Sequence, residues 1–239
     1  MNAFETVLYD KLPSIALVTL NRPRALNAIN IRMRDELWQV IGAVRDDPDV
    51  QVVIFRGAGD RAFSAGADIT EFGTAPSPVI ARQVRWQRDL WGTLASFSKP
   101  LIAAIQGYAL GAGLELAMCC DIRIASDDSR LGLPETTLGM IPAAGGTQTM
   151  PRLIPPAMAA QLCITGEMVA ARDALGIGLL NRVVPRDELF PTARKIAEKI
   201  IANDQRAVRT AKEAVRRGLD LPLVEGLELE RRLRSRLGK

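Results

Sequence analysis

The chain has 239 residues, of which 48% are hydrophobic and 24% are charged, a balance typical of globular proteins that bury a large core. It contains no histidine. This absence excludes Ser-His-Asp and Cys-His nucleophile systems and every histidine metal site, and it leaves acid and base chemistry to carboxylates, Lys, Tyr or Cys.

The net charge of +4 is concentrated near the C-terminus, where residues 206–239 hold ten Lys or Arg against five Asp or Glu. Such a basic tail can bind nucleic acid, a membrane or a phosphorylated ligand, although a solvated helix face is the more frequent cause. The sequence has no apolar run of 18 residues, and its first residues, MNAFETVLYD, lack the basic and apolar regions of a signal peptide. The three cysteines predict no disulfide, and together these features predict a cytoplasmic protein.

The first part of the chain alternates between strand and helix patterns. Two short runs over residues 5–20, broken at residues 11–13, predict a β-hairpin. Asn30 precedes apolar residues at helical spacing that end before Pro48, which predicts a capped helix, and residues 50–57 predict a buried strand. A single further helix is predicted from one face formed by Ile80, Val84, Gln87, Trp91, Leu94 and Phe97.

Two strands each lead into a turn of small residues, over residues 50–72 and 101–120. Their repetition predicts a parallel sheet crossed by helices. In the first turn, Asp68 is a candidate helix cap. In the second, glycines open a helix near Gly111, whose free N–H groups around Ala112 favour an anionic oxygen.

Two glutamates stand out by their positions after these turns. Glu115 lies in the first turn of the helix, and its side chain leans toward the N-terminal end, so a base would lie beside an oxyanion site. Glu135 follows Pro134 where a short helical turn can begin. Either acid can instead complement a helix dipole. The glycine pattern GxxxGxG matches a dinucleotide loop poorly.

Residues from Pro156 onward are predicted to be mostly helical, interrupted by LLNRVVP over residues 179–185. The sequence predicts one main domain, with a change to helices near residue 190 rather than a break in the chain.

Five segments in order, RPRALNAI, AFSAGADI, KPLIAAIQGYALGAGLELAMCCD, LGLPETTLGMIPAAGGTQ and ALGIGLLNRVV, resemble the crotonase superfamily, specifically its enoyl-CoA hydratases. The resemblance covers nearly the whole chain. It implies an α/β fold, with a crotonase-like spiral of ββα units over residues 1–189. It also implies a helical C-terminal trimerisation region over residues 190–239, in trimers that commonly pair into hexamers, with Leu227, Leu233 and Leu237 as candidate apolar contacts.

The resemblance implies reversible addition of water to a 2-enoyl-CoA, giving a 3-hydroxyacyl-CoA. Glu115 carries over as the base that activates water and Glu135 as the proton donor, while the amides of Ala67 and Ala112 carry over as donors to the enolate oxygen. No separate cofactor is implied, because coenzyme A is part of the substrate. Positions that carry over as CoA contacts are Arg24, Leu26, Ala28, Ala65, Asp68, Ile69 and Leu110. Among them, Arg24 is either a phosphate partner or a solvated surface arginine.

Other functions stay open at this point. A double-bond isomerase of the same family generally needs only one of the two carboxylates, and hydrolases or decarboxylases can share the fold. RNA binding is disfavoured because only 5% of the residues are aromatic, and a non-catalytic trimer is a further alternative. Members of the family usually continue beyond the position of Lys239 with a further helix that helps cover CoA and joins subunits. Acyl-chain length and pathway are not indicated.

Overall fold

The computed structural model describes residues 4–74 and 77–238, which form two sheets surrounded by helices. The strands of the larger sheet are β1 (Val7–Leu12), β2 (Ile15–Leu20), β3 (Val52–Gly57), β5 (Leu101–Ile105), β7 (Ile122–Ser126) and β10 (Arg182–Val184). The strands of the smaller sheet are β4 (Ala62–Ser64), β6 (Tyr108–Leu110), β8 (Arg130–Gly132) and β9 (Met168–Ala170).

The helices lie between and after these strands. Those of the first half are α1 (Ile31–Asp46), α2 (Pro78–Gln87), α3 (Leu90–Ala95) and α4 (Ala112–Cys119). Those of the second half are α5 (Gly146–Leu153), α6 (Pro156–Thr165), α7 (Ala171–Gly176), α8 (Leu189–Ile201), α9 (Gln205–Gly218) and α10 (Leu223–Ser235). Short 3₁₀ turns occupy Pro23–Ala25, Ile69–Glu71, Pro134–Leu138 and Arg186–Glu188.

The larger sheet confirms the predicted hairpin and parallel pairing. Strands β1 and β2 are antiparallel, and the chain reverses at Pro13 and Ser14, slightly later than predicted, with Ser14 at a φ of 59°. Strands β2, β3, β5, β7 and β10 are parallel neighbours. Every residue of β2 and β5 is buried, because helices cover both faces of the sheet, which explains why these strands read as continuous apolar runs.

The two faces of the larger sheet have separate apolar cores. Apolar residues of α1, α3 and α4 join one core, and those of α8 join the other. The predicted cap of α1 is confirmed, since the Asn30 side chain accepts a hydrogen bond from the Met33 amide at 2.9 Å. The mixed α/β fold class is therefore confirmed, with the helices placed to support the ends of the parallel strands.

Two local predictions were wrong. The single helix over residues 80–97 is two helices, because the Asp89 carboxylate accepts a hydrogen bond from the Gly92 amide at 2.9 Å and so caps a new helix, α3. The run from β5 to α4 also contains an extra strand, β6. It pairs with β4 and β8, so each small-residue turn begins on a strand of the smaller sheet.

The C-terminal part is helical beyond β10, as predicted. Helices α9 and α10 pack against each other. Among the described residues, no helix combines the length and apolarity needed to cross a membrane.

Candidate active site

Two turns meet at the base of the site, one after β4 and one before α4. Gly66 and Gly111 have positive φ angles of 104° and 48°, and no side chain separates them. A β-carbon built on Gly66 would lie 3.6 Å from the Ala112 amide nitrogen, and one built on Gly111 would lie 3.7 Å from the α-carbon of Gly66. Glycine at both positions therefore lets the two backbones approach closely.

The amides of Ala67 and Ala112 are both available at this junction. The Ile29 amide donates to the Gly66 carbonyl, and the Asp68 amide donates to the Ile29 carbonyl, so these hydrogen bonds do not use Ala67. Ala112 is the first residue of α4 and has no acceptor within the helix. In residues 4–74 and 77–238, neither amide donates to a protein acceptor. Two such N–H groups on touching turns suit one anionic oxygen.

Glu115 projects from the first turn of α4 into a buried position, where its side chain is held by backbone. Its Oε1 atom accepts hydrogen bonds from the amides of Ala144 and Gly146 at 2.9 and 2.7 Å. Burial raises the pKa of Glu115 from its ordinary value of 4.5 to about 7, the Gly146 amide opposes the rise, and the charge of Glu135 adds to it. A carboxylate with a pKa near neutrality suits general base chemistry.

Gly146 is required by this contact. A β-carbon at position 146 would lie 2.9 Å from Oε1 of Glu115, so a side chain there would displace the carboxylate.

Glu135 lies on the other side of the same turn. A β-carbon built on Gly111 would be 2.9 Å from Oε1 of Glu135, so this carboxyl group sits beside the residue that precedes Ala112. Its Oε2 atom is buried and, within the part of the chain that the structure describes, has no hydrogen-bond partner. Burial raises the pKa of Glu135, which favours the protonated form. The structure therefore brings a candidate acid and a candidate base to the two free amides.

The raised pKa of Glu115 predicts a pH-dependent stability. Because the folded pKa of about 7 exceeds the ordinary 4.5, the folded state binds this proton more tightly, and the resulting stability is lost as pH rises through that interval. Glu115→Gln keeps an oxygen acceptor and removes the charge. We expect it to raise the free energy of unfolding, relative to the unchanged chain, by up to about 3 kcal/mol at pH 8 and by little at pH 4 to 5.

Urea unfolding at pH 5 and pH 8 measures this difference. Glu228→Gln, at an exposed position on α10, is the control and should give the same small change at both pH values. An equal effect of Glu115→Gln at both pH values would contradict the prediction.

The positions carried over as CoA contacts are mostly gathered beside the first turn. The Ala65 amide donates to the Leu26 carbonyl at 2.9 Å, and a β-carbon on Gly66 would lie 3.0 Å from the Leu110 carbonyl oxygen. Ala28 is half-buried next to this turn, and Ile69 is exposed at its edge. Most of these positions therefore lie in or next to the turn that carries the Ala67 amide.

Two arginines lie in the segment that precedes the first turn. Arg24 is exposed on its 3₁₀ turn, whereas its neighbour Arg22 makes the ion pair with Asp68 at 2.8 Å. Arg22 also donates to the Ala28 carbonyl at 2.7 Å. Hydrogen bonds from Thr70 and Arg22 lower the pKa of Asp68, whose carboxylate thus ties the first turn to the preceding segment.

Sequence reasoning missed the partners of Glu115. The amides of Ala144 and Gly146 come from a loop about thirty residues further along the chain, and no spacing rule connects them to a helix over residues 112–119. The only signal was the pair of glycines in PAAGGT, which marks a turn before a helix start but not its neighbour. Arg22 was equally hidden, because its partner depends on how two distant turns pack.

Comparison with known proteins identifies the family of this chain. A family model described as enoyl-CoA hydratase/isomerase matches residues 10–239. A crotonyl-CoA hydratase from Syntrophomonas wolfei is 41% identical over 229 residues, covering 95% of this chain and 88% of that protein. A short-chain-enoyl-CoA hydratase from Clostridium acetobutylicum is 43% identical over 224 residues, covering 94% of this chain and 86% of that protein.

Solved structures agree with this match. The crystal structure of an enoyl-CoA hydratase from Bacillus anthracis superimposes with a TM-score of 0.91 at 39% identity, covering 97% of this chain and 90% of that chain. The motif resemblance is thereby confirmed, and the chain belongs to the enoyl-CoA hydratase/isomerase family of the crotonase superfamily.

Proposed function

We propose that this chain is an enoyl-CoA hydratase that adds water reversibly to a 2-enoyl-CoA and gives a 3-hydroxyacyl-CoA. The observation that carries the proposal is the placement of two carboxyl groups with raised pKa values, Glu115 and Glu135, beside the free amides of Ala67 and Ala112. The names of the two curated relatives support the same reaction.

In the proposed mechanism, the thioester carbonyl oxygen accepts hydrogen bonds from the Ala67 and Ala112 amides. Each such donor typically stabilises a developing oxyanion by about 2.7 to 4 kcal/mol. Glu115 removes a proton from water as the water oxygen bonds to C3 of the enoyl group. The electron pair of the double bond moves onto C2 and the carbonyl oxygen, and Glu135 delivers a proton to C2. The product therefore gains the hydroxyl group of the water at C3 and the proton of Glu135 at C2. Glu115 is left protonated and Glu135 ionised, and exchange of one proton with solvent at each carboxyl group restores the starting state.

We propose that the acyl group of the substrate is carried as a thioester of coenzyme A and that the reaction uses no separate cofactor. Leu26, Ala28, Ala65, Asp68, Ile69 and Leu110 are the proposed contact positions, mostly through backbone and apolar surface. Arg24 is exposed and therefore accessible to a phosphate group, while the pairing of Arg22 with Asp68 supports the backbone that would carry these contacts.

One experiment tests the reaction directly. The purified chain is incubated with crotonyl-CoA and longer 2-enoyl-CoAs, and loss of the conjugated-thioester absorbance is followed. Hydration should consume the substrate and produce 3-hydroxyacyl-CoA, and the reverse reaction should restore the absorbance. A parallel reaction with 3-enoyl-CoA tests the isomerase alternative, which needs one carboxylate. Conversion of 3-enoyl-CoA to 2-enoyl-CoA with no hydration would overturn the proposal in favour of that alternative.

We propose that residues 190–239 form the trimerisation region, in a homotrimer or a hexamer. Exposed apolar side chains on α9, at its C-terminal cap and on α10 support this, namely Val215, Leu219, Leu223, Val224 and Leu227. Of the three leucines named as candidate apolar contacts, Leu227 is 43% exposed and Leu237 is half-buried, so both stay candidates, whereas Leu233 is buried within its own chain.

The expected oligomer can be measured by sedimentation velocity at micromolar concentration. The unchanged chain should sediment as a trimer or hexamer. Leu223→Glu places a charge on a side chain that is 78% exposed in the single chain, and it should shift the protein toward smaller species. Lys199→Glu, on the exposed side of α8, should leave the oligomer unchanged. A monomer in the unchanged chain would contradict the prediction.

The proposed location is the cytoplasm. The three cysteines are free thiols and two of them are buried, which fits a reducing compartment.

A further inference from the structure

We propose that Arg216 is a positioning residue for the reaction: it clamps the C-terminal end of α4, the helix whose other end presents the Ala112 amide and Glu115. The inference rests on the proposed hydratase function. It concerns a residue of α9, about a hundred positions further along the chain than the site itself.

One guanidinium group joins three parts of the structure. Arg216 Nη2 donates to the Cys119 carbonyl, the last residue of α4, at 2.5 Å, and Nη1 donates to the Ala95 carbonyl at the end of α3 at 2.7 Å. Its Nε lies 3.3 Å from Oδ1 of Asp121. Carbonyls at a helix C-terminus lack intrahelical donors and carry partial negative charge, so a cation is stabilising there.

The clamp belongs to a larger cationic cluster under α9. Lys212 Nζ donates to Oδ2 of Asp121 and to the Lys99 carbonyl, each at 2.7 Å. The buried Lys99 side chain in turn donates to the Val44 and Asp47 carbonyls at the end of α1. The ends of α1, α3 and α4 thus converge on three cations, two of which come from α9. Lys212 and Arg216 belong to the basic C-terminal segment, and their contacts within the chain explain part of its positive charge without an external ligand.

Helix α4 is short, and Arg216 is the side chain from α9 that holds its last carbonyl. Its eight residues span about 12 Å, so both ends are close to the reacting groups. Its apolar side chains are buried in the core. At the N-terminal end, Gly113 presses against Ser64, and at the C-terminal end Arg216 holds Cys119. Release of the second contact would let Ala112 and Glu115 shift together.

Such a shift of α4 would change the position of two groups that take part in the proposed reaction. The Ala112 amide would move relative to Ala67, and Glu115 would move relative to the Gly146 amide that it accepts from at 2.7 Å. A displacement of about 1 Å at a reacting group commonly lowers a rate by about 10²-fold. Binding of CoA would be affected less, because all of its proposed contacts except Leu110 lie on or before the first turn.

The test compares Arg216→Met with Arg217→Met. Both remove one positive charge from the same helix, but Arg217 faces solvent, where it pairs with Glu213 on α9. We expect Arg216→Met to lower kcat about 10-fold to 100-fold with KM changed by less than about 2-fold. Arg217→Met should leave both constants unchanged. Arg216→Lys keeps the charge but not the planar fork, and should recover part of the lost rate.

The pH profile separates positioning from a general loss of folded protein. Glu115 must be deprotonated to remove a proton from water. The titratable groups around Glu115 are Glu135, Cys119 and Cys163. The charged groups around Arg216 are Asp121 and Lys212. If loss of Arg216 lets Glu115 shift away from the Gly146 amide, the hydrogen bond that lowers the pKa of Glu115 is weakened, and that pKa rises. The acid limb of kcat/KM should therefore move to higher pH. A loss of rate proportional to lost folded protein, with the limb unmoved, would overturn the proposal.

Amide hydrogen exchange gives a readout that does not depend on the reaction. Exchange within residues 114–119 of α4 should be faster in Arg216→Met than in the unchanged chain, with a smaller increase in Arg216→Lys and none in Arg217→Met. If the unchanged chain hydrates no enoyl-CoA, the proposed function fails while this measurement still tests the clamp. Unchanged exchange in α4 in Arg216→Met would overturn the clamp even in an active hydratase.

Discussion

Glu115→Gln and Glu135→Gln should each lower kcat for the best 2-enoyl-CoA by at least about 10²-fold, because a positioned acid or base typically contributes about 10² to 10⁴ in rate. Glutamine preserves the size of each side chain. At position 115 it can still accept from the amides of Ala144 and Gly146, but it cannot take a proton from water. At position 135 it cannot supply the proton that C2 requires.

The two losses should not add. Both side chains act on the same water and the same double bond, and Glu135 already influences the pKa of Glu115, so the double variant should fall short of the product of the two losses. KM should change little, because neither carboxyl group belongs to the proposed CoA surface. Initial rates with each enoyl-CoA, measured on all three variants, give these values.

Glu36→Gln is the matched control for removing a buried carboxylate. Glu36 is buried on α1, where its Oε2 accepts from the Thr6 and Val7 amides at 2.8 and 3.1 Å, away from the site. This substitution should reduce thermal stability and leave kcat of the folded protein unchanged. Near-normal hydration by either Glu115→Gln or Glu135→Gln would show the two-carboxylate mechanism to be wrong and would favour a reaction that needs one acid.

The sequence predicted the parts of the fold that depend on neighbouring residues. Helix α1 follows from the Asn30 cap and its apolar spacing, and the parallel strands follow from apolar runs separated by helices. The short strands of the smaller sheet were missed, because three residues are too few to show a period. The division of α2 from α3 was also missed, since an apolar face continues across the break at Asp89.

In the candidate site, too, the features set by neighbouring residues were predicted, and the contacts between distant segments were not. Each turn reveals by itself that small residues allow close backbone approach, and Glu115 is placed over α4 by helix geometry alone. What the residues alone do not reveal is which distant groups meet them. The Gly146 amide on Glu115 and the Arg22 ion pair with Asp68 depend on packing between segments far apart in the chain.

The contact between the two turns leads to a second large expected effect, at Gly113. This glycine lies one residue beyond Ala112 in α4. A β-carbon there would lie 2.5 Å from the Ser64 carbonyl oxygen and 2.6 Å from the Ser64 β-carbon. The first of these atoms is backbone, so it cannot rotate away, and α4 must move away from β4. Gly113→Ala should therefore be disruptive even though alanine is the best helix former.

The expected consequence of Gly113→Ala is a loss of the shared oxyanion geometry. Ala67 follows Ser64 closely and Ala112 precedes Gly113, so separation of α4 from β4 moves the two amides apart. Loss of one such donor typically lowers the rate by about 10² to 10³-fold, and we expect kcat/KM to fall by at least about 10²-fold.

Gly42→Ala is the control, because a β-carbon on this glycine of α1 meets nothing within 4 Å. It should stabilise the protein by up to about 1 kcal/mol with unchanged kinetics. Steady-state rates and thermal unfolding of both variants measure the effects. Hydration at the normal rate by Gly113→Ala would contradict the prediction that the contact between α4 and β4 sets the spacing of these two amides.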